Sequence, residues 1–260
     1  MRVGRLFLSF VLILSSSSQL RPQQSTASPQ RDPPAVALLQ GSVLVMGGTV
    51  PADSVTTGSI TIVAGSETST GTIRILTRGI NQTSEQITLP QSNASVTYSG
   101  GLAGQTINSA STSLPIERAT TSQSVCFPLP FLSGALGNPD VSILYVGLET
   151  LNQSSVQHIR LQNSFASRPN FQQFADFAFF DVWLDTASGL PQRISFVRRD
   201  GGGSAPRIPV DTYFTGYQTI SAIAYPSQIN VSLNGTPWAK ITIFSVSLNT
   251  GLTDSSFSVQ

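Results

Sequence analysis

Charge is scarce in this 260-residue chain: Asp, Glu, Lys and Arg together make up 10% of it, against about 25% in ordinary globular domains. Ser, Thr, Asn and Gln take the surface instead. That suits strands, where Thr is favoured, better than helices, whose surfaces use Glu, Lys and Ala. The balance of sign is neutral, at +1 overall. No basic stripe carries interleaved aromatics, which argues against a nucleic-acid partner.

Cysteine and histidine occur once each, as Cys126 and His158. A single Cys excludes an intrachain disulfide. One His and one Cys do not make a zinc site, and no cofactor is expected. Cys126 reads as a small apolar residue beside Phe127. A Ser-His-Asp triad would have only His158 for its base. That residue alternates outward from Ile159 and Leu161 and reads as solvent-facing, and no G-x-S-x-G elbow accompanies it. Gly201-Gly202-Gly203 lacks the Lys-Ser/Thr pair of a phosphate cradle. Asp181 and Asp185 stand roughly 13 Å apart by strand rise, with Trp183 between them, so they read as a solvated face. Five Asn-x-Ser/Thr sequons, at Asn81, Asn93, Asn152, Asn230 and Asn234, fit chance in a chain this rich in those residues. The residues favour binding over catalysis, and a secreted hydrolase lacks its constellation here.

Long apolar runs are also missing. The longest, Leu6 to Leu14, follows Arg2 and Arg5 and precedes Ser15 to Ser18. A basic start, a short apolar stretch and small residues make a secretory signal peptide over 1–18, with cleavage as late as Ala27. The run is too short for a membrane span, which needs roughly 20 residues. The expected location is therefore the periplasm or the outside of the cell. Residues 19–32 read as a disordered linker, and 33–260 as a single domain.

What is present is periodicity. After Pro33-Pro34, the residues Ala35, Leu38, Leu39, Ser42, Val43 and Met46 share one helical face, and Gly47-Gly48 stops the helix. From residue 56 the period becomes two. Strands are expected around Ile60, Ile73, Ile87, Val96, Val141, Ile159, Val182 and Ile194, and over 208–220, 228–233 and 237–248. Short breaks join them as antiparallel hairpins, with Asn234-Gly235 the strongest turn signal. Leu129 to Leu136 reads as a short apolar helix. Residues 101–123 carry no readable period. The fold class is α+β, mainly antiparallel β: ten or eleven strands in a wide sheet that curls as its twist accumulates.

One stretch is specific. Val182-Trp183-Leu184-Asp185-Thr186-Ala187-Ser188-Gly189-Leu190-Pro191-Gln192-Arg193 resembles the V-W-hydrophobic-D-x-x-T/S-G-L-P-x-R hairpin of the outer-membrane lipoprotein carrier superfamily. The order of elements over residues 35–258 is similar too, and Asn249 with Phe257 looks like the N…F ending of such domains. The resemblance implies an incomplete β-barrel with short helices in its concave mouth. It also implies an apolar face that holds an acyl chain or a hydrophobic partner segment. Expected partners are a lipid, a lipidated protein or another envelope protein.

Independently of the resemblance, a broad curved sheet leaves a concave face that its own side chains cannot fill. Ile73, Ile75, Val182, Leu184, Ile194 and Phe196 are candidates for that face, with Leu39, Val43 and Leu132 facing them from the helices. Two readings stay open at this stage. Either these residues line a ligand cavity, or they are core beneath the helices of an interaction domain with no small ligand.

Overall fold

The computed structural model describes residues 28–121, 124–201 and 206–259. The expected signal peptide lies outside the described residues. Gln30 to Asp32, at the end of the expected linker, run parallel to a strand through a bridge from Arg31 to Ile143.

Among the described residues, thirteen antiparallel strands form one sheet. They are β1 (Asp53–Ala64), β2 (Glu67–Arg78), β3 (Gln82–Leu89), β4 (Ser92–Ser99), β5 (Leu102–Ile107), β6 (Ala110–Ser113), β7 (Val141–Leu151), β8 (Ser154–Asn163), β9 (Phe179–Asp185), β10 (Pro191–Arg199), β11 (Arg207–Ile220), β12 (Ile223–Leu233) and β13 (Thr236–Leu248). In space the order is β6-β5-β4-β3-β2-β1-β13-β12-β11-β10-β9-β8-β7. Two meanders, β1–β6 and β7–β13, are thus joined where the first strand pairs with the last. β6 and β7 are the end strands and do not pair with each other, so the sheet curls without closing.

Eleven of these strands answer to the alternation of Ile and Val with Thr. β5 and β6 fill part of the unassigned stretch, together with a one-turn helix α2 (Ile116–Thr121). In the two-residue turn between β12 and β13 the backbone is left-handed, as the sequence allows. Asn234 and Gly235 both have positive φ between β12 and β13, the type I′ geometry that matches strand twist. Gly58 sits at a β-bulge opposite Thr242 and Ile243, where a Cβ would overlap the Thr242 carbonyl oxygen.

Helix α1 (Pro33–Val45) begins with two prolines, whose missing N–H groups would be unpaired there anyway. Asp32 does not cap it. Its carboxylate instead accepts the Tyr145 N–H and the Gln30 amide. Helix α3 (Pro128–Gly137) is the expected apolar segment. Both helices pack on β7 and on each other. One core results: Ala35, Leu39, Val43 and Met46 of α1, and Leu129, Phe131 and Leu132 of α3, against the inward residues of β1, β2 and β7–β13. No helix among the described residues is long and apolar enough to cross a membrane.

Candidate functional site: the concave face and its open seam

All nine candidate residues fall in that core. Leu39, Val43, Ile73, Ile75, Leu132, Val182, Leu184, Ile194 and Phe196 are each at most 8% exposed. Val182 and Ile194 are direct partners across β9 and β10, as are Phe180 and Phe196. Most of the concave face is therefore covered by α1 and α3. Phe196 and Leu184 border open space. Phe196 joins Ile87, Val96, Val210, Leu233 and Trp238 around a cavity of about 140 Å³ between the two wings of the sheet. Leu184 borders a shallow groove between α1 and the β9–β10 turn.

A further inward space lies where the sheet fails to close. It has a volume of about 570 Å³, within the 300–1,000 Å³ range of ligand pockets. Its floor is Phe131, Leu161 and Phe180, and its rim includes Ile80, Leu102 and Arg168. Phe131 and Phe180 pack with ring centroids 4.8 Å apart. Ile80 and Leu102 are exposed, at 46% and 58%. The Arg168 guanidinium lies 5.2 Å from the ring centroids of both Phe165 and Phe171. Sequence reasoning missed this floor. Phe180 shares the alternation of Val182 and Leu184, and that was the available signal. Arg168 sits in an irregular loop that gives none.

The outer face of β7–β11 is built differently from expectation. His158 is buried, not solvent-facing. It does point away from Ile159, but its ring stacks on Trp183 with centroids 4.3 Å apart, and both ring nitrogens meet carboxylates. Nδ1 is 2.7 Å from Glu149 Oε1, and Nε2 is 3.1 Å from Asp181 Oδ1. Asp181 is likewise buried rather than solvated, and Arg160 donates two hydrogen bonds to it. Burial pushes the Asp181 carboxyl up, but the bonds from His158 and Arg160 outweigh it and hold the group low. Burial alone would depress His158; its two carboxylate partners raise it instead. With both nitrogens engaged, the imidazole has none free to serve a nucleophile. Among the described residues, no group of three or more His, Cys, Asp or Glu is placed to hold a metal ion.

The hairpin motif acquires a physical meaning here. Trp183 and Arg193 are register partners, and the Arg193 guanidinium carbon lies 4.2 Å from the Trp183 ring centroid. Asp185 caps the turn by accepting the Ala187 and Ser188 N–H groups, the Ser188 hydroxyl and the Gln192 amide. Gly189 takes the left-handed position, at φ +73°. Asn249 and Phe257 fasten the end of the chain: Asn249 Oδ1 accepts the Ala52 N–H, and Phe257 is buried. These residues specify the fold rather than a ligand.

No family model matches the chain, and no curated protein matches it in sequence. Solved structures do match its shape. A putative outer membrane lipoprotein-sorting protein domain from Vibrio parahaemolyticus aligns over 86% of this chain and 95% of its own, with TM-score 0.56 and 14% identity. A LolA superfamily protein from Nitrosomonas europaea aligns over 86% and 97%, with TM-score 0.56 and 15% identity. A DUF1329 family protein from Desulfovibrio piger aligns over 87% and 99%, with TM-score 0.55 and 13% identity. The curled antiparallel sheet, the helices in its mouth and these likenesses agree: the chain has the fold of the outer-membrane lipoprotein carrier superfamily.

Proposed function

We propose that this protein is an exported, non-enzymatic envelope protein that binds a lipid acyl chain or an apolar segment at the open seam of its half-barrel. The observation that carries the reading is the 570 Å³ cavity floored by Phe131, Leu161 and Phe180. An acyl chain gains about 0.8 kcal/mol for each CH₂ that leaves water for such a floor. Arg168, a cation at the rim, suits an anionic headgroup. The fold's likeness to a lipoprotein-sorting domain supports the same reading.

A second reading has its own support. Leu39 and Leu132 are fully buried on the concave face, so α1 and α3 already do there what a ligand would do. On that reading the protein is an interaction domain with no small ligand, and an envelope protein is its partner.

Mass spectrometry of the purified protein, under native conditions and after organic extraction, separates the two. A stoichiometric lipid that disappears in Ala135→Phe, which fills the cavity from α3, supports carriage. A clean apo mass with no uptake of added fatty acid or lipopeptide leaves the interaction domain.

A further inference from the structure

Strand β7 is a terminal strand of the sheet with two unlike halves. Its first half is covered: Ile143 exchanges backbone hydrogen bonds with Gln30 and Asp32, and the Tyr145 N–H reaches the Asp32 carboxylate. The register then slips between Tyr145 and Gly147. Beyond that bulge, among the described residues, Val146 to Leu151 has only β8 beside it in the sheet, with Val146 and Leu148 exposed. Glu149 is the side chain that ties this half inward. Its Oε1 faces His158 Nδ1, and its Oε2 accepts the Trp183 indole N–H at 2.8 Å.

We propose that His158 is a proton-operated latch on the outer half of β7, closed while the imidazole carries both protons and released at Glu149 when it loses one. Two carboxylates on two ring nitrogens can both be satisfied only by imidazolium, which donates from each; neutral imidazole has one donor and one lone pair. The lone pair must then face a carboxylate oxygen. Which carboxylate gives way follows from how each is held. Asp181, on β9, is buried and pinned by both Arg160 bonds, so it keeps the remaining N–H. The Glu149 side chain is 44% exposed, and water can take its charge. Its departure also frees the indole N–H, leaving the outer half of β7 with its ladder to β8 alone.

The charged and titratable groups around the ring are Glu149 on β7, Arg160 on β8, Asp181 on β9 and, across Trp183, Arg193 on β10. The two carboxylates hold the folded imidazole above its ordinary value of about 6.5, against the opposing effect of burial. A raised folded value means the latch contributes fully below about pH 6.5 and is lost as pH rises through the folded value.

His158 is the chain's only histidine, so proton NMR of tag-free protein reports its Cε1–H without ambiguity. We expect one titration between pH 5 and 9 with its midpoint above 6.5, moved down in Glu149→Gln. Hydrogen exchange across residues 146–151, corrected for intrinsic base catalysis, should rise through that midpoint in the wild type and lose the step in His158→Gln. A midpoint at or below 6.5 overturns the proposal. So does exchange in wild-type β7 that follows only the intrinsic pH dependence.

Discussion

Trp183 and Arg193 face each other directly across the β9–β10 hairpin, with the guanidinium carbon 4.2 Å from the indole centroid. On its other side Trp183 stacks on His158, and Arg193 also reaches Asp211. The row crosses β8 to β11 and ties four strands on the outer face. Arg193→Gln removes a cation–π contact worth about 0.5–2 kcal/mol and a charged partner of Asp211. We expect a loss of about 1–2 kcal/mol in urea unfolding. In a double-mutant cycle with Trp183→Leu the two changes should be less than additive. Additivity would show that the contact carries no energy.

Asp53 anchors the far end of the chain. Its buried carboxylate accepts the Thr250 N–H and hydroxyl and the N–H groups of Gly251 and Leu252. Burial pushes this carboxyl up, and those four bonds more than reverse it, so it titrates below its ordinary value. Its contribution is complete above about pH 3.9 and is lost as pH falls through the lower folded value. Asp53→Asn should cost about 1–3 kcal/mol at neutral pH, and the gap to wild type should narrow in an acid titration followed by circular dichroism.

Cys126 is buried, and its thiol is pushed well up by burial and by the nearby Glu85 carboxylate. The thiolate is the reactive form. Native protein at pH 8 should therefore resist a thiol reagent and react within the mixing time once unfolded in urea. Rapid labelling of the native state would contradict this burial.

Leu39 is fully buried in the core that α1 shares with the sheet. Leu39→Ala should cost about 2–5 kcal/mol, read as a lower urea midpoint. A loss under 1 kcal/mol would mean that α1 is only loosely seated on the sheet.

Much of this fold is written in the alternation. Ile73 and Ile75 against Thr72 and Arg74 fix both a strand and its inner face, and Val182 and Leu184 do the same for β9. Leu102–Ile107 and Ala110–Ser113 escaped because the large apolar residues of the first, Leu102 and Ile107, stand only at its ends and on opposite faces, and the second has none, leaving no period to read. His158 shows a different limit. Alternation placed it correctly on the outer face. Whether that face meets water depends on Glu149 and Trp183, which pairing brings to it from two other strands. The candidate site was legible only as inward-facing positions. Which of them border empty space depends on where α1 and α3 settle, and local periodicity does not encode that.

The pairing of β1 with β13 also governs how the molecule can assemble. Thr57 bonds to Ser245 across 188 residues of chain, and that seam is where the two meanders meet. Until β13 exists in full, β1 is an exposed edge and the first meander is half a sheet. Contacts this distant in sequence slow folding, because the loop between them must close before they return any energy. The chain therefore completes its sheet only after β13 has been made.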